Sequence, residues 1–424
     1  MEATTEIVLS PSQQEAYDAA MNSENLFITG PGGTGKSEAL NRIIRDLKSS
    51  GRSVATTAST GIAAIRVHGC TIHSWLGTNI LKNQGELAAA LKRHDLHRAR
   101  VTEQRISKAD VLVLDEVSMM SGDYISMMDF WIKTCRKTSL KPFGGMQVIF
   151  TGDFLQLPPV QKRGQKFEYP YAFQSPAWGR AKLRNIALKE VFRQEDAKFI
   201  DMLMRVRKGR VGLKQLAYFN EQVGATLKNP TKLFAKNDAV YAENYKHLAA
   251  LEGEKIEYEA LIECEQDKYA EKLVKDCIAE FQLELKVNAP VLFLRNNYQE
   301  GYINGERGVV VAMRPDKVMV QKSSGCMVEV ERETWEYKDP EGNVLATMKQ
   351  MPLKLAWAMT IHKSQGMTLD LLEVNASECF APGQTYVALS RAKTFEGLSL
   401  TEPLTHKAVK ADPVLVEYCD ALGI

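Results

Sequence analysis

Apolar residues along this chain alternate between short unbroken runs and stretches in which they recur every three or four positions. Leu26–Ile28 is a run suited to a buried parallel strand, and Leu40, Ile43, Ile44 and Leu47 then recur at helical spacing until Gly51. Ser10 and Pro11 mark an earlier helix start, because serine caps and proline fits the first turn. Ser53–Ala58, Val111–Glu116 and a run within 146–160 predict three more buried strands. From about residue 185 the pattern restarts, with a short strand and then a helix presenting Phe199, Leu203 and Val206 before Gly209. Between 285 and 352 the runs become β-branched and are separated by turn signals, among them Asn304-Gly305, which predicts a small antiparallel β module. The stretch 353–370 returns to a buried strand, and 383–393 is helical in pattern.

The turn after the first run fits G-x-x-x-x-G-K-[ST], with Gly30, Gly35, Lys36 and Ser37 in the fixed places and the required strand and helix on either side. Glycines 30, 32, 33 and 35, with Thr34 among them, let backbone N–H groups converge on an anion, and the helix N-terminus adds partial positive charge. Lys36 then reaches the β and γ phosphates, and Ser37 ligates magnesium. The run VLVLDE ends in two carboxylates, of which Asp115 is suited to the hydrated magnesium and Glu116 to orienting and deprotonating a water. ATP and Mg2+ are therefore the expected ligands. A further strand delivers Asp153 and Gln156 to the same sheet edge, Gln156 as a sensor of the γ phosphate, with Pro158 and Pro159 stiffening the exit.

Other residues leave alternatives open. Gln13 and Gln14 could face an adenine edge or be plain surface glutamines. Thr57, Ser59, Thr60, Thr71 and His73 could bond a sugar-phosphate backbone or merely cap helices. Arg193 could be a surface arginine or a clamp on phosphate. Residues 78–108 carry more Lys and Arg than acids and interrupt the alternation as an insertion, whose His94 and His97 lack the partners of a metal site. Thr360, His362, Lys363, Ser364, Gln365 and Gly366 share one turn, and Ser390 and Arg391 end the 383–393 helix.

With 424 residues, 45% apolar and 25% charged, the chain has the makings of several globular domains. No apolar run approaches a membrane span and MEATTEIVLS lacks the features of an export signal, so a cytoplasmic location is expected. Seven scattered cysteines, never in C-x-x-C spacing, indicate neither a disulfide framework nor zinc. The net charge of +2 does not decide for or against a nucleic acid, because an acidic far surface can hide a basic groove.

TASTGIAAIRVHGCTIHS, LDEVSMM, KPFGGMQVIFTGDFLQLPPV, FQSPAW, VFRQED, LKLAWAMTIHKSQGMTLD and GQTYVALSRA follow one another in an order that closely resembles the Pif family of superfamily 1B DNA helicases, relatives of RecD and Dda. The resemblance spans nearly the whole chain. It implies an α/β fold of two RecA-like P-loop domains in tandem, with a nucleotide between them and single-stranded DNA across both. The implied layout is 1–185 for the first, 186–254 and 353–424 for the second, and 255–352 for an inserted domain with an SH3-like β module. The basic insertion corresponds to a small wedge. The resemblance assigns Gln13 and Gln14 to adenine reading and gives Arg193 and Arg391, both in the second domain, as arginine fingers. Thr57 and His73, and the turn with His362 and Lys363, fall in strand-contacting segments, so Thr57, Ser59, Thr60, Thr71, His73, Pro158, Thr360, His362, Lys363 and Ser364 are expected to contact DNA, and Gly366 the nucleotide. It further implies 5′ to 3′ polarity, action on DNA junctions, G-quadruplexes and RNA–DNA hybrids, a monomer that can dimerise on DNA, and a compact core of bacterial or viral type. Asn288 stands where the family tends to have glycine, and the turn is expected to survive because Asn tolerates a left-handed backbone. The competing readings are a translocase or motor subunit that does not itself unwind, and a nucleotide-operated binding switch; the complete hydrolytic set argues against the switch.

Overall fold

The structure, a computed structural model, describes residues 8–78, 96–161, 166–295, 297, 299–302, 306–322, 324–338 and 344–424. The chain divides into two compact units, one of Met1–Glu195 with Ala411–Ile424 and one of Asp196–Lys410.

The first unit is built on a parallel sheet of β1 (Leu26–Thr29), β2 (Val54–Ala58), β3 (Cys70–Thr71), β4 (Val111–Asp115), β5 (Gln147–Gly152) and β6 (Arg184–Ala187), in the order β3-β2-β4-β5-β1-β6. Helices cover both faces, so the central strands β1, β4 and β5 are buried along their whole length and read as continuous apolar runs. On one face lie α1 (Pro11–Met21) and α2 (Lys36–Ser49), where Ala16, Leu40, Ile43 and Leu47 meet Leu26, Ile28, Val113 and Ile149. Among the described residues, α3 (Gly61–Arg66), α4 (Ile72–Trp75) and α5 (Leu96–Lys108) fall between β2 and β4. The other face takes α6 (Gly122–Cys135) and α7 (Pro176–Ala181), which bring Met128, Trp131, Ile132 and Trp178 against Phe27, Leu112, Leu114 and Phe150.

The second unit opens with α8 (Ala197–Arg207), whose Phe199, Leu203 and Val206 are buried as their spacing predicts, and α9 (Leu213–Asn220). Its elements continue as β7 (Thr231–Phe234), α10 (Asn237–Ala250), β8 (Ile256–Glu259), β9 (Leu261–Cys264), α11 (Asp267–Asp276), β10 (Gln282–Leu285), β11 (Pro290–Phe293), β12 (Arg307–Met313), β13 (Lys317–Lys322), β14 (Met327–Glu331), β15 (Glu333–Lys338) and β16 (Val344–Gln350). After these come β17 (Leu353–Leu355), β18 (Ala358–Thr360), β19 (Leu372–Val374), α12 (Gln384–Leu389) and β20 (Leu398–Leu400). Strands β18-β7-β19-β20 form a parallel sheet, β14-β13-β12-β11-β17 an antiparallel one, and β15-β16-β9 a smaller antiparallel one.

Three sequence expectations on layout are corrected. The first unit does not end near 185, because β6 pairs with β1 along its length. This edge strand is too short and too exposed to show an apolar run. The single strand expected after 353 is two, with β17 completing the antiparallel sheet against β11 and β18 starting the parallel one. The last helix, α13 (Pro413–Ala421), belongs to the first unit. There Leu415 and Cys419 join the core, and Tyr418 stacks on Phe173 with ring centroids 3.8 Å apart.

Asn288 does adopt the left-handed backbone, at φ 70°, and its N–H bonds the carbonyl of Val310 at 2.8 Å. The Asn304-Gly305 turn and residues 79–95 of the basic insertion, His94 included, lie outside the described residues. Among the described residues, no helix is long and apolar enough to cross a membrane. No group of three or more His, Cys, Asp or Glu gathers there as a metal cluster.

Candidate active site

The turn between β1 and α2 is held in shape from both sides. Gly33 has φ +88°, and a Cβ there would stand 2.7 Å from the Cβ of Arg193. Gly35 has φ +72°, and a Cβ there would meet the Gln13 side-chain nitrogen at 2.4 Å. Only glycine fits either position. Gln13 is buried: its Oε1 accepts from the Ser10 N–H at 2.9 Å, and its Nε2 donates to the carbonyls of Thr34 and Gly35, each at 3.3 Å. Thus Gln13 fastens α1 to the phosphate loop, whereas Gln14 is exposed and bonds Asp18. Lys36 donates to the carbonyls of Gly30 and Pro31 at 2.7 and 2.9 Å, which lays its ammonium across the mouth of the turn. The Thr34 hydroxyl bonds Pro31, and Ser37 is half-buried on the first turn of α2.

Leaving β6, the chain runs along this loop. The Leu188 N–H bonds Thr29, and the Phe192 N–H bonds Gly33, both at 2.8 Å. The Glu190 carboxylate accepts from the hydroxyls of Ser12 and Ser10, and these bonds, Ser12's foremost, hold it below the usual carboxylate range. Arg193 is thereby placed in the first unit, against Gly33, and not in the second as expected; the reason is the pairing of β6 with β1. Phe192, which the sequence reading did not single out, is 59% exposed and comes next to Gly35. A phenylalanine directly before Arg193 in the VFRQ segment was the available signal.

At the end of β4, Asp115 is buried. Its Oδ1 accepts from the Thr151 hydroxyl and from the Glu116 N–H at 2.9 Å, while its Oδ2 is buried with no hydrogen-bond partner. A buried carboxylate oxygen left over in this way fits a cation and its water shell, with Ser37 as the other oxygen donor on the phosphate loop. Glu116 follows with a left-handed backbone, φ 54°. Burial, then the Asp115 charge, push its carboxyl above the usual range, with Asp153 adding to this and Arg66 and Lys36 opposing it. Asp153 is fully buried and bonds the Leu155 N–H and the Gln156 side chain, so Gln156 is held at the same sheet edge.

The expected strand-contact residues divide. Thr57 is fully buried and donates to the Val113 carbonyl at 2.6 Å, so its hydroxyl is spent inside the sheet. Ser364 is likewise fully buried, donating to Ile361 at 2.8 Å. Neither presents a group at the surface. Thr60 caps α3 and Thr71 caps α4, through bonds from Ala63 and Ser74. Ser59 donates its N–H to Asp115, and its hydroxyl is buried without a hydrogen-bond partner. His73 is half-buried with its ring 4.5 Å from that of Tyr124, whose hydroxyl shares a 2.9 Å bond with Thr78. Pro158 is half-buried after the buried Leu157.

In the second unit, Thr360 accepts from the Lys363 N–H, which fixes the turn that runs to Gly366 at φ +80°. His362 is half-buried and burial lowers its pKa, while Lys363 is exposed. Arg391 is almost wholly buried, donating to Val387, Met367 and the Ser390 hydroxyl.

A phosphate loop after β1, with a carboxylate pair at the end of β4 in the same parallel sheet, one strand removed, defines a P-loop nucleotide hydrolase. The chain belongs to the PIF1-like helicase family. The family model for PIF1-like helicase matches residues 8–216, and the model for the DNA helicase Pif1 2B domain matches 268–313. The ATP-dependent DNA helicase Pif1 of Bdellovibrio bacteriovorus is 35% identical over 97% of this chain and 92% of its own length. Pif1 from Bacteroides sp in complex with ADP-AlF4 is 28% identical with TM-score 0.84, covering 99% of this chain and 98% of that one. Bacteroides Pif1 bound to ssDNA is 29% identical with TM-score 0.70, covering 98% and 97%.

Proposed function

We infer that this chain is an ATP-dependent DNA helicase that translocates on single-stranded DNA and opens duplex. The observation that carries the reading is the apposition of Lys36, Asp115 with its unbonded buried oxygen, and Glu116 with its raised pKa, at one end of one sheet. Its relatives' names and the nucleotide and ssDNA complexes of its structural neighbours support it.

The backbone N–H groups of Gly32, Gly33, Thr34 and Gly35 receive the phosphates, and Lys36 swings from the Gly30 and Pro31 carbonyls to the β and γ oxygens. Phe192 offers its exposed ring to the adenine, and Gln13 sets the loop it leans on. Ser37 and Asp115 would hold Mg2+, which would neutralise charge on the phosphates. Glu116, beside Asp115 at the end of β4, takes the proton of the attacking water. Gln156, fixed by Asp153, orients the γ phosphate, and Arg193 beside Gly33 offsets charge developing there. The resemblance makes Arg391 the second arginine, and here its guanidinium is committed to Val387, Met367 and Ser390 within its own unit. His73, Thr360, His362 and Lys363 carry the strand, by backbone contacts that are indifferent to base sequence. Translocation runs 5′ to 3′, and G-quadruplexes and RNA–DNA hybrids are within the substrate range.

The test is ATP-dependent unwinding of partial duplexes with a 5′ or a 3′ single-stranded tail. Opening of the 5′-tailed substrate alone, lost in Lys36→Ala, is the expected result. DNA-stimulated hydrolysis with neither duplex opened would replace the reading with that of a translocase or a motor needing a partner.

A further inference from the structure

We propose that Lys354, Lys363 and Glu280 form a gated phosphate site, in which Glu280 serves as a resident counter-ion that a backbone phosphodiester of the strand displaces. The inference rests on the reading that the 360–364 turn lies along single-stranded DNA. Lys354 belongs to β17, outside that turn, and neither its position nor that of Glu280 has a role in the hydrolytic set.

Lys354 is 8% exposed, and a buried ammonium is costly unless an anion answers it. Glu280 does so at 3.1 Å, from a side chain that is itself 41% exposed. The ammonium of Lys363 adjoins that of Lys354 and senses the same carboxylate. Two lysines thus share one carboxylate, and the cluster keeps an excess positive charge. Burial, and then the Lys354 ammonium, lower the readiness of Lys363 to stay charged, a condition that an incoming anionic oxygen cluster relieves. Lysine acts on phosphate as a point charge with three donors, so two converging ammonium groups can hold one phosphodiester through its free oxygens.

The geometry is built. The backbone of Lys363 is fixed by the bond from its N–H to the Thr360 hydroxyl. Lys354 is held in register by the pairing of β17 with β11, opposite Leu292. Glu280 is pinned through its backbone, since the fully buried Gln350 amide donates to the carbonyls of Glu280 and Phe281 at 3.0 Å each. The Glu280 carboxylate, 41% exposed, has room to swing outward, whereas the Lys354 side chain is buried. A structural salt bridge alone would need neither the second lysine nor an exposed carboxylate.

The test is binding of a labelled single-stranded oligonucleotide by the full chain, followed by anisotropy over a range of salt concentrations. Glu280→Gln is expected to tighten binding and Lys354→Gln to weaken it, each by roughly 3- to 10-fold. Lys354→Gln should also make the dependence of log K on log salt shallower by about 0.7, and Lys354→Arg should restore it. If the pair is merely structural, Glu280→Gln and Lys354→Gln both weaken binding or both leave it unchanged, with the salt slope unaltered, and the proposal falls. Lys363→Gln separates the two readings: no loss of binding there overturns the placement of the turn on the strand. Inorganic phosphate is then titrated against the bound oligonucleotide at constant ionic strength. Displacement that requires Lys354 would assign the site to a free anion, and so would also overturn the proposal. Thermal melts of each variant show whether folding is intact, and Glu280→Gln carries the directional prediction if Lys354→Gln does not fold.

Discussion

The backbone of Gly33 lies so close to Arg193 that a methyl group on the first would overlap the Cβ of the second, at 2.7 Å. The phosphate loop and the segment leaving β6 are therefore one piece of machinery, and substitution of either partner is felt by the other. Gly33→Ala is expected to push Arg193 out of place and to strain a backbone at φ +88°, costing about 1–3 kcal/mol. Steady-state kinetics should show kcat for ATP hydrolysis falling by roughly 10-fold or more. An unchanged kcat would mean that Arg193 has no part in turnover.

Thr151 donates its hydroxyl to Asp115, one of the two bonds to Oδ1. Removing it in Thr151→Val takes a hydrogen bond from a buried charge, worth about 1.5–3 kcal/mol. Chemical denaturation should register that loss. A titration with Mg2+ should show a raised half-saturating concentration for hydrolysis, because the oxygen facing the cation is no longer held in position.

The ring of Phe192 offers a face beside the loop without belonging to any core. Phe192→Ala should raise KM for ATP by roughly 2- to 10-fold, on the scale of an aromatic stacking contact, with little change in kcat. It should also narrow any preference between purine and pyrimidine triphosphates. Equal KM values in variant and wild type would send the base elsewhere.

Tyr124 sits on α6 and backs the ring of His73, while its hydroxyl is anchored by Thr78. Tyr124→Leu removes the backing and should weaken stimulation of hydrolysis by single-stranded DNA, read as a raised half-maximal DNA concentration. Tyr124→Phe keeps the ring and should stay near the wild type in this readout. If His73→Ala alone leaves DNA stimulation intact, the loop carries no strand.

Tyr418→Ala removes a ring stacked on Phe173 and set edge-on to Phe154. Truncating an aromatic at such a site costs about 3–5 kcal/mol. Calorimetry should show the melting transition of the first unit shifted down, with that of the second unchanged.

Much of the local structure around the candidate site was legible because its signals are local. The β1 run, the glycine spacing and the α2 periodicity lie within Leu26–Leu47, and the Asp115–Glu116 pair ends an uninterrupted apolar strand. The Asn288 turn was legible for the same reason, as one residue's backbone preference. What was misread depends on partners distant in sequence. Nothing near Arg184–Ala187 says that this exposed edge strand pairs with Leu26–Thr29. Thr57 and Ser364 look like ligands in a polar loop, yet the carbonyls of Val113 and Ile361 claim their hydroxyls. Leu415, Tyr418, Cys419 and Leu422 show helical spacing, but the pattern does not say which core they seal.

That final helix has a consequence for how the molecule is made. The whole second unit, residues 196–410, is spliced into the first, and the aromatic seat formed by Phe154, Phe173 and Trp178 waits for Tyr418 and Leu415. During synthesis the second unit is complete and can fold while the first still shows an oily gap. A chain released before α13 would leave that gap for a chaperone or a protease to find. Residues Pro413–Ala421, made after the second unit, therefore decide whether the phosphate-binding half survives.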